Sequence, residues 1–438
     1  MTSVLQDSIR ELLREIGPST LEEILERLAG TPPLLSSKNP AQTVKNALTN
    51  DPACQSAGDG RYVYLPTFVR GASMRLSMEL AAPEKRLLTA DAGASGLLWP
   101  AERWGPGTGE RTLALEGGQE VSVKARGTAG MRVLLQLPAA FWRWWGERRW
   151  AGHDALRIYC EDGEAGRFGA TSLRTAELDR QAVAARSHQL REAAAAVLRR
   201  TRGLDPSDLA RKLLARGIYH GEPSPDPLGA VLLESGHPFF LEGGEVTYRP
   251  EITPSLRSLL APRFEARSSL FEEMFAEPME PPTTARRAEQ GAKPGPLQEH
   301  DSGLGYRIKV SLQWNRRVWR VIEILAHQTL EDLHLGIQRA FGWDNDHLYA
   351  FFMSGRAWDR LTEIEGPFGE AEPPTADEVT LAELGLSPGQ KFLYIFDFGD
   401  ELRHDIEVIE SFPLPARGKF PRISERHGKA PAQYREWD

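Results

Sequence analysis

The sequence predicts a multidomain α+β protein in which two modules of three helices and a hairpin flank a β-rich domain and precede a C-terminal sandwich of sheet and helices. The chain of 438 residues is too long for one ordinary core. A helical apolar pattern that ends in a Gly-rich turn and an alternating strand occurs twice. After a proline-rich linker, a third region of alternating strands follows. The predicted segments are 1–70, 71–185, 186–255, 256–303 (a helix and the linker) and 304–438.

Composition excludes several classes of protein. The formal net charge is −8, so any nucleic-acid contact must come from a local basic patch. The two cysteines, Cys54 and Cys160, exclude a disulfide framework and a cysteine-rich zinc site. No apolar run reaches the roughly 20 residues that a membrane helix needs, and the amino-terminal residues do not form a signal peptide. We therefore expect a cytoplasmic protein with no membrane association and no cofactor.

The first segment carries signals for three helices and a hairpin. Apolar residues recur at helical spacing over 4–16. Ser19 or Thr20 then caps a second helix, and Asn39-Pro40 opens a third. The turn at 58–60 is typical of a hairpin that leads into an alternating strand. The sequence thus predicts a winged helix-turn-helix module.

In such modules the third helix enters the major groove of DNA. Amide and lysine side chains read base edges and phosphates, so the outward residues of this helix and its neighbours are the candidate DNA or RNA contacts. They are Lys38, Gln42, Thr43, Lys45, Asn46, Asn50 and Arg61. About the first 66 residues also resemble HARE-type helix-turn-helix domains, which join such a helix to a Gly-rich turn and an aromatic strand. The alternative is that the module docks a protein.

A second, degenerate winged helix is predicted at about 186–252. The matching pieces are 203–209 with 17–21, Asp226-Pro227 with Asn39-Pro40, and 242–250 with 57–66. Its third helix, over 228–234, has no basic residue and one acid, so it cannot attract phosphate and is predicted to be structural or to bind a partner. Its first helix carries basic residues that could follow a nucleic-acid backbone or form a solvated face: Arg191, Arg199, Arg200 and Arg202.

Between these modules the sequence predicts a β-rich, barrel-like domain. Gly117-Gly118 separates two alternating segments as a hairpin, and further strands are predicted at 131–137 and 155–160. The order strand, Leu-Pro, short helix and strand pair loosely resembles swapped-hairpin and B3-like barrels that bind DNA. The short helix mixes aromatic residues with arginines: Phe141, Trp142, Trp144, Trp145, Trp150, Arg143, Arg148 and Arg149. Such a cluster either stacks on bases or forms core beneath arginine stems.

After the linker, alternation predicts a sheet, and one helix is well marked. Thr329 caps that helix with Asp332 in the capping-box position, and Gly342-Trp343 ends it. The remaining predicted elements are strands at 306–312, 318–324, 347–352, 391–397 and 406–409 and a short helix at 380–386.

This region resembles the plasmid pRiA4b ORF-3-like family over about 306–438. The matching pieces are Val318-Trp319-Arg320, Thr329-Leu330, Leu333-His334, Ile337-Gln338, Ala340 to Trp343, His347-Leu348, Tyr394, Asp397 to Asp400, His404, Phe420 to Arg422 and Gly428 to Tyr434. The resemblance implies an α+β fold and an association with mobile or plasmid DNA, without a settled activity. Many members have Trp two residues after the Gly-Asp pair, where this chain has Leu402.

Three functions follow as hypotheses, and no catalytic residue is predicted. The first is a DNA-binding accessory or regulatory protein whose C-terminal domain docks an unidentified protein partner. The second is a protein-interaction scaffold. The third is a metal-dependent enzyme centred on Asp397, Asp400 and His404, because carboxylates and imidazoles suit a divalent metal. The same Asp-Phe-Gly-Asp sequence is also typical of a turn in which Asp bonds the backbone.

Overall fold

The computed structural model describes residues 2–77, 81–82, 85–101, 109–129, 131–148, 154–233, 237–260, 303–369, 371, 373–414 and 417–433. These residues form a mixed α+β protein with several sheets, as predicted. They divide into two compact units: unit 1 is Met1–Tyr248 and unit 2 is Arg249–Asp438. Within the described ranges, every helix is too short or too polar to cross a bilayer.

Unit 1 begins with helices around a three-stranded sheet in the order β1-β3-β2. The elements are α1 (Thr2–Ile16), β1 (Ser19–Thr20), α2 (Leu21–Leu28), α3 (Pro32–Leu35), α4 (Pro40–Asn50), β2 (Cys54–Ser56), β3 (Arg61–Tyr64) and α5 (Leu65–Phe68). Thr20 caps α2 in a capping box with Glu23, and Asn39 caps α4, so both predicted caps are confirmed. The additional helix α3 arises because Pro32 and Pro33 occupy its first turn, where proline is tolerated. The predicted third helix is therefore α4.

An eight-stranded sheet follows, in the order β4-β10-β11-β7-β8-β9-β6-β5. Its elements are β4 (Ser73–Ser77), β5 (Ala81–Ala82), β6 (Leu87–Asp91), α6 (Ala92–Leu98), β7 (Arg111–Leu115), β8 (Glu120–Ala129), β9 (Arg132–Gln136), α7 (Ala139–Gly146), β10 (Ala155–Asp162) and β11 (Arg167–Leu173). Strand β8 contains a bulge at Ala125/Gly127. The residues before the bulge pair with β7, and residues on both sides of the bulge pair with β9. The predicted hairpin at Gly117-Gly118 and the strand that includes 155–160 are confirmed.

The last part of unit 1 contains α8 (Arg180–Leu198), α9 (Pro206–Ala215), α10 (Leu228–Leu233), β12 (Phe239–Glu242) and β13 (Glu245–Tyr248). Its hairpin repeats a pairing of the first segment. Thr20 on β1 pairs with Arg61 on β3, and Leu204, which precedes α9, forms a bridge with Val246 on β13. One buried cluster runs from Val63 to Val246, so the segments 1–70, 71–185 and 186–255 share a core and their separation into domains stays a prediction.

Asp91 joins two helices inside unit 1. One carboxylate oxygen accepts the backbone N–H of Gly93 at 2.7 Å, and the other accepts that of Gly229 at 2.6 Å. Asp91 thus caps α6 and also binds the first turn of α10, where backbone donors have no partner within the helix. Burial raises the pKa of this carboxyl to about 6, against the opposing effect of these hydrogen bonds.

Unit 2 contains a seven-stranded antiparallel sheet in the order β17-β16-β18-β19-β14-β15-β20. The elements of this unit are α11 (Pro254–Leu259), β14 (Leu304–Leu312), β15 (Asn315–Leu325), α12 (Leu330–Phe341), β16 (Tyr349–Phe352), β17 (Glu363–Glu365), β18 (Lys391–Phe396), β19 (Leu402–Pro413) and β20 (Arg422–His427). The segment 380–386 forms turns rather than the predicted short helix, although the Thr380 hydroxyl accepts the Glu383 N–H as an N-cap would. Gly385 there has φ +58, which a continuing helix does not allow.

Both ends of α12 are as predicted. Thr329 and Asp332 form the capping box. Gly342 ends the helix in the left-handed conformation, where its N–H donates to the Gln338 carbonyl at 2.8 Å. The buried face of α12 includes two polar side chains, His334 and Gln338, and their i, i+4 spacing places them one turn apart.

Candidate functional site

The outward face of α4 is open to solvent in unit 1. Lys38, Gln42, Lys45, Asn46 and Asn50 are exposed. The opposite face carries the buried residues Val44, Ala47 and Leu48. The sequence-predicted division of this helix into a core face and a polar face is therefore confirmed.

The polar residues of α4 differ in whether their side chains already form hydrogen bonds within the protein. The Gln42 amide donates to Asn46 at 2.8 Å, so these two amides form one exposed pair. The Thr43 hydroxyl lies 2.7 Å from that of Ser37 and donates to the Asn39 carbonyl at 3.0 Å. Thr43 is half-buried and supports the helix start, which makes it a weaker candidate for base contact than its neighbours.

Arg61 is exposed at the start of β3, but Asp59 of the same hairpin holds it. The Arg61 Nε donates to the Asp59 carboxylate at 2.8 Å. This hydrogen bond is the main reason that the pKa of Asp59 is lowered. Arg61 would have to exchange Asp59 for a phosphate before it could contribute to nucleic-acid binding. The basic residue of α4, Lys45, has no such competitor on its own helix, because α4 contains no acidic residue.

The aromatic cluster on α7 is mainly core. Phe141 and Trp144 are buried, and Trp142 and Trp145 pack against the same cluster. The Arg148 guanidinium lies 3.8 Å from the Trp144 ring centroid and donates to the Trp144 carbonyl. The arrangement favours core beneath an arginine stem over base stacking, while Arg149 and Trp150 lie outside the described residues.

In unit 2, the Asp-Phe-Gly-Asp sequence forms the expected turn after β18. Asp397 Oδ1 accepts the N–H of Gly399 at 2.9 Å and that of Asp400 at 3.3 Å. Three non-glycine residues at this corner have positive φ: Trp358 (61°), Asp397 (58°) and Glu401 (49°). The Trp358 ring lies 5.1 Å from that of Phe398, and its indole N–H donates to Glu401 at 3.2 Å. Such conformations persist only where surrounding contacts hold them.

His404 does not join Asp397 and Asp400. It is fully buried on β19, and its ring centroid lies 5.2–5.3 Å from those of Phe341, Trp343 and Tyr394. The Leu402 and Tyr394 carbonyls attract the ring weakly, but neither ring nitrogen makes a hydrogen bond of normal geometry with the residues that the structure describes. Burial lowers the pKa of His404 to about 3. Among the described residues, no group of three or more His, Cys, Asp or Glu side chains is arranged to hold a metal ion.

A second buried histidine forms a polar chain from the surface to the core. His334 Nε2 lies 2.6 Å from the Asn345 carbonyl oxygen, and its Nδ1 lies 2.6 Å from the Tyr394 hydroxyl. The Gln338 amide donates to the same hydroxyl at 2.8 Å. These contacts are all satisfied if His334 donates to Asn345 and Tyr394 donates to His334. The His334 pKa is lowered to about 4 by burial, which fits a neutral ring. In the sequence, this hydrogen-bonded chain of side chains is indicated by the i, i+4 positions of His334 and Gln338 on an apolar helix face.

Comparison with known proteins places the C-terminal region in context. Residues 305–433 match the family model described as plasmid pRiA4b ORF-3-like protein, so the predicted resemblance of this region is confirmed. The uncharacterized protein y4hQ of Sinorhizobium fredii (strain NBRC 101917 / NGR234) is 33% identical over 129 residues, which are 29% of this chain and 64% of that relative. The chain thus matches just under two thirds of the relative's length. A solved structure of a protein of unknown function from Methanosarcina mazei Go1 is 22% identical, and the match covers 30% of this chain and 73% of that protein with a TM-score of 0.25.

Proposed function

We propose, on the premise that residues 305–433 are a pRiA4b ORF-3-like segment, that this chain is a non-catalytic DNA-binding accessory or regulatory protein linked to mobile or plasmid DNA. Its first module, a HARE-type winged helix, would offer α4 to the major groove. The observation that carries the proposal is the exposed row of Gln42, Lys45, Asn46 and Asn50 on a helix without acids. These are side chains that read base edges and phosphates.

The order of elements supports a winged-helix assignment for the first module. Helices α1, α2 and α4 precede the β2–β3 hairpin, and β1 pairs with β3. The bridge between Leu204 and Val246 supports the same assignment for the second module. Its third helix, α10, offers no basic side chain in its described span, so major-groove contact by a third helix is proposed for the first module alone.

Local charge supports contact with a polyanion in spite of the overall charge of −8. Within the described part of the chain, neither Lys38 nor Lys45 has an acidic partner, and both are exposed. Each cation that meets a phosphate releases a condensed counterion, so binding must weaken as salt rises.

The test is fluorescence anisotropy of labelled duplex DNA titrated with the full chain at several salt concentrations. Lys45→Ala is expected to weaken binding by several-fold and to make the slope of log affinity against log salt shallower by about 0.9, the value for one phosphate contact. The matched control is Arg126→Ala, because Arg126 is exposed on β8 and bonds the neutral Gln136. The control variant should bind as the wild type does.

Equal affinity and equal slope for the wild type, Lys45→Ala and Arg126→Ala would remove α4 from the interface. Wild-type protein that fails to bind any duplex at low salt would end the DNA-binding proposal and favour a protein-interaction scaffold. A protein partner of the C-terminal region stays a prediction. His404 is buried apart from Asp397 and Asp400, so the structure does not support the hypothesis of a metal-dependent enzyme.

A further inference from the structure

A second basic surface of unit 1 lies beside the β2–β3 hairpin. We call it the arginine patch and define it as Arg200, Lys212 and Arg216. Lys212 and Arg216 are one turn apart, at the end of α9 and at its C-cap, and Arg200 follows α8. Their charges act on one another. Burial is the main cause that lowers the pKa of Arg216, and Arg200 lowers it further. Burial also lowers the pKa of Lys212, Asp208 opposes this effect, and Arg216 adds to it.

Among the described residues, Arg216 has no counterion. It is half-buried, and its Nη1 atom is buried with no hydrogen-bond partner in the described part of the chain. Arg200 is exposed and likewise has no acidic partner there. The charges of Arg200 and Arg216 repel one another, and a buried donor without a partner is costly. An anion bound at the patch lowers both costs.

Two acids near this patch form ion pairs with arginines outside it. Asp208, one turn before Lys212 on α9, forms an ion pair with Arg211, although its charge also raises the pKa of Lys212. Asp59, at the hairpin tip, forms an ion pair with Arg61. The Glu245 carboxylate lies against Gly203, three residues after Arg200, without an ion pair to either arginine of the patch. The patch therefore keeps its positive charge.

The patch is continuous with the hairpin of the first module. A Cβ atom added to Gly58 would lie 2.5 Å from the Arg216 Nε, so the guanidinium packs directly on the turn. Gly58 also has φ +92, a conformation that favours glycine. The hairpin tip and Arg216 thus form one surface.

We infer that the arginine patch binds the phosphodiester backbone of the nucleic acid that α4 contacts. The inference rests on the proposed function and adds a backbone clamp next to the hairpin. Guanidinium groups suit this role because they bind phosphate oxygens with two N–H donors. Backbone contacts of this type fix position without reading sequence.

The test uses the full chain and the same anisotropy titrations against salt. Arg216→Ala and Arg200→Ala should each weaken binding by several-fold on duplexes of any sequence, and the double variant should lower the salt slope by close to twice the value of about 0.9 for one contact. Arg216→Lys, which keeps the charge, should retain most of the slope, whereas Arg216→Gln should not. Arg126→Ala is the control for the loss of one positive charge, and near-wild-type melting temperatures show that the hairpin is intact.

The two proposals fail in different ways. A double variant that matches Arg126→Ala in affinity and slope, while Lys45→Ala is weakened, overturns the arginine patch and leaves α4 in place. A weakened double variant beside an unaffected Lys45→Ala supports the patch and removes α4. Wild-type protein that binds no duplex overturns both.

Discussion

Single residues in unit 2 show how buried polar groups are paired or left unpaired. Tyr394 links Gln338 to His334 through one hydroxyl, while the Tyr349 ring stacks on His334 at 3.6 Å with its own hydroxyl buried and unbonded in the described part of the chain. A buried donor or acceptor that loses its partner costs more than the hydrogen bond contributed. The two tyrosines are therefore expected to respond differently to the loss of a hydroxyl.

We predict that Tyr394→Phe destabilises the protein by about 1–3 kcal/mol, because Gln338 and His334 each lose a partner. Tyr349→Phe is the matched control, since it keeps the stacked ring and removes a hydroxyl that bonds nothing described. Urea denaturation of the full chain measures both. A Tyr349→Phe variant that is as unstable as Tyr394→Phe would contradict this account of the polar chain.

At the scale of elements, the end of α12 depends on a strand. Arg320 of β15 is buried and has no acid beside it in the described ranges. It donates to the Ala340 carbonyl in the last turn of α12 and to the His427 carbonyl at the end of β20, both at 2.9 Å. Its guanidinium also lies 4.8 Å from the Phe341 ring centroid. One side chain thus ties the helix end, the central sheet and the edge strand together, and the charge favours the negative end of the helix dipole.

We predict that Arg320→Leu costs about 2–4 kcal/mol, because carbonyls of α12 and β20 lose their donor in a buried site. Arg339→Ala is the control: Arg339 is exposed in the same turn of α12, so its loss should cost less than about 0.5 kcal/mol. Hydrogen exchange of the full chain should show faster exchange in β20 for Arg320→Leu alone. Unchanged exchange in β20 would show that Arg320 does not hold that strand.

At the scale of the whole molecule, the two units contain buried groups that titrate with opposite consequences. His334 and His404 of unit 2 have pKa values of about 4 and about 3, below the 6.5 of a free imidazole. The unfolded chain therefore takes up protons first, and unit 2 loses stability as the pH falls below about 6.5. Asp91 of unit 1 has a pKa of about 6, above the usual 3.8. The folded state takes up that proton first, so this stabilisation is present at low pH and is lost as the pH rises through about 6.

We predict that lowering the pH from 7.5 to 5 reduces the stability of unit 2 by about 2 kcal/mol per buried histidine, and that Asp91 adds about 1 kcal/mol to unit 1. Hydrogen exchange corrected for intrinsic rates reports both units in one sample. His404→Leu should make the response of unit 2 smaller, and Asp91→Asn should remove the contribution in unit 1. Responses that stay the same in both variants would show that other groups control the pH dependence.

Rules that use only neighbouring residues predicted the ends of helices well, but they did not predict which polar side chains meet in the folded protein. The caps at Thr20, Asn39 and Thr329 and the left-handed end at Gly342 depend on neighbouring residues alone, and all are confirmed. The candidate set Asp397, Asp400 and His404 is close in sequence, but strand alternation sends His404 into the core while the turn exposes Asp400. Arg216 next to Gly58 joins residues far apart in the chain, which no local pattern can reveal.

The bulge in β8 has a consequence for how the sheet tolerates change. Ala125 pairs with Leu135 and Gly127 with Leu134, so Arg126 is an extra residue without a register partner on β9. A one-residue shift elsewhere in a strand exchanges its inward and outward faces. Deleting Arg126 would leave Ala125 and Gly127 as neighbours opposite Leu135 and Leu134, so β8 would become regular and keep its pairing on both sides. On each side of Arg126 the length of β8 is fixed by its partner strand: Val121 and Val123 pair with β7, and the residues after the bulge pair with Leu134 and Val133 of β9.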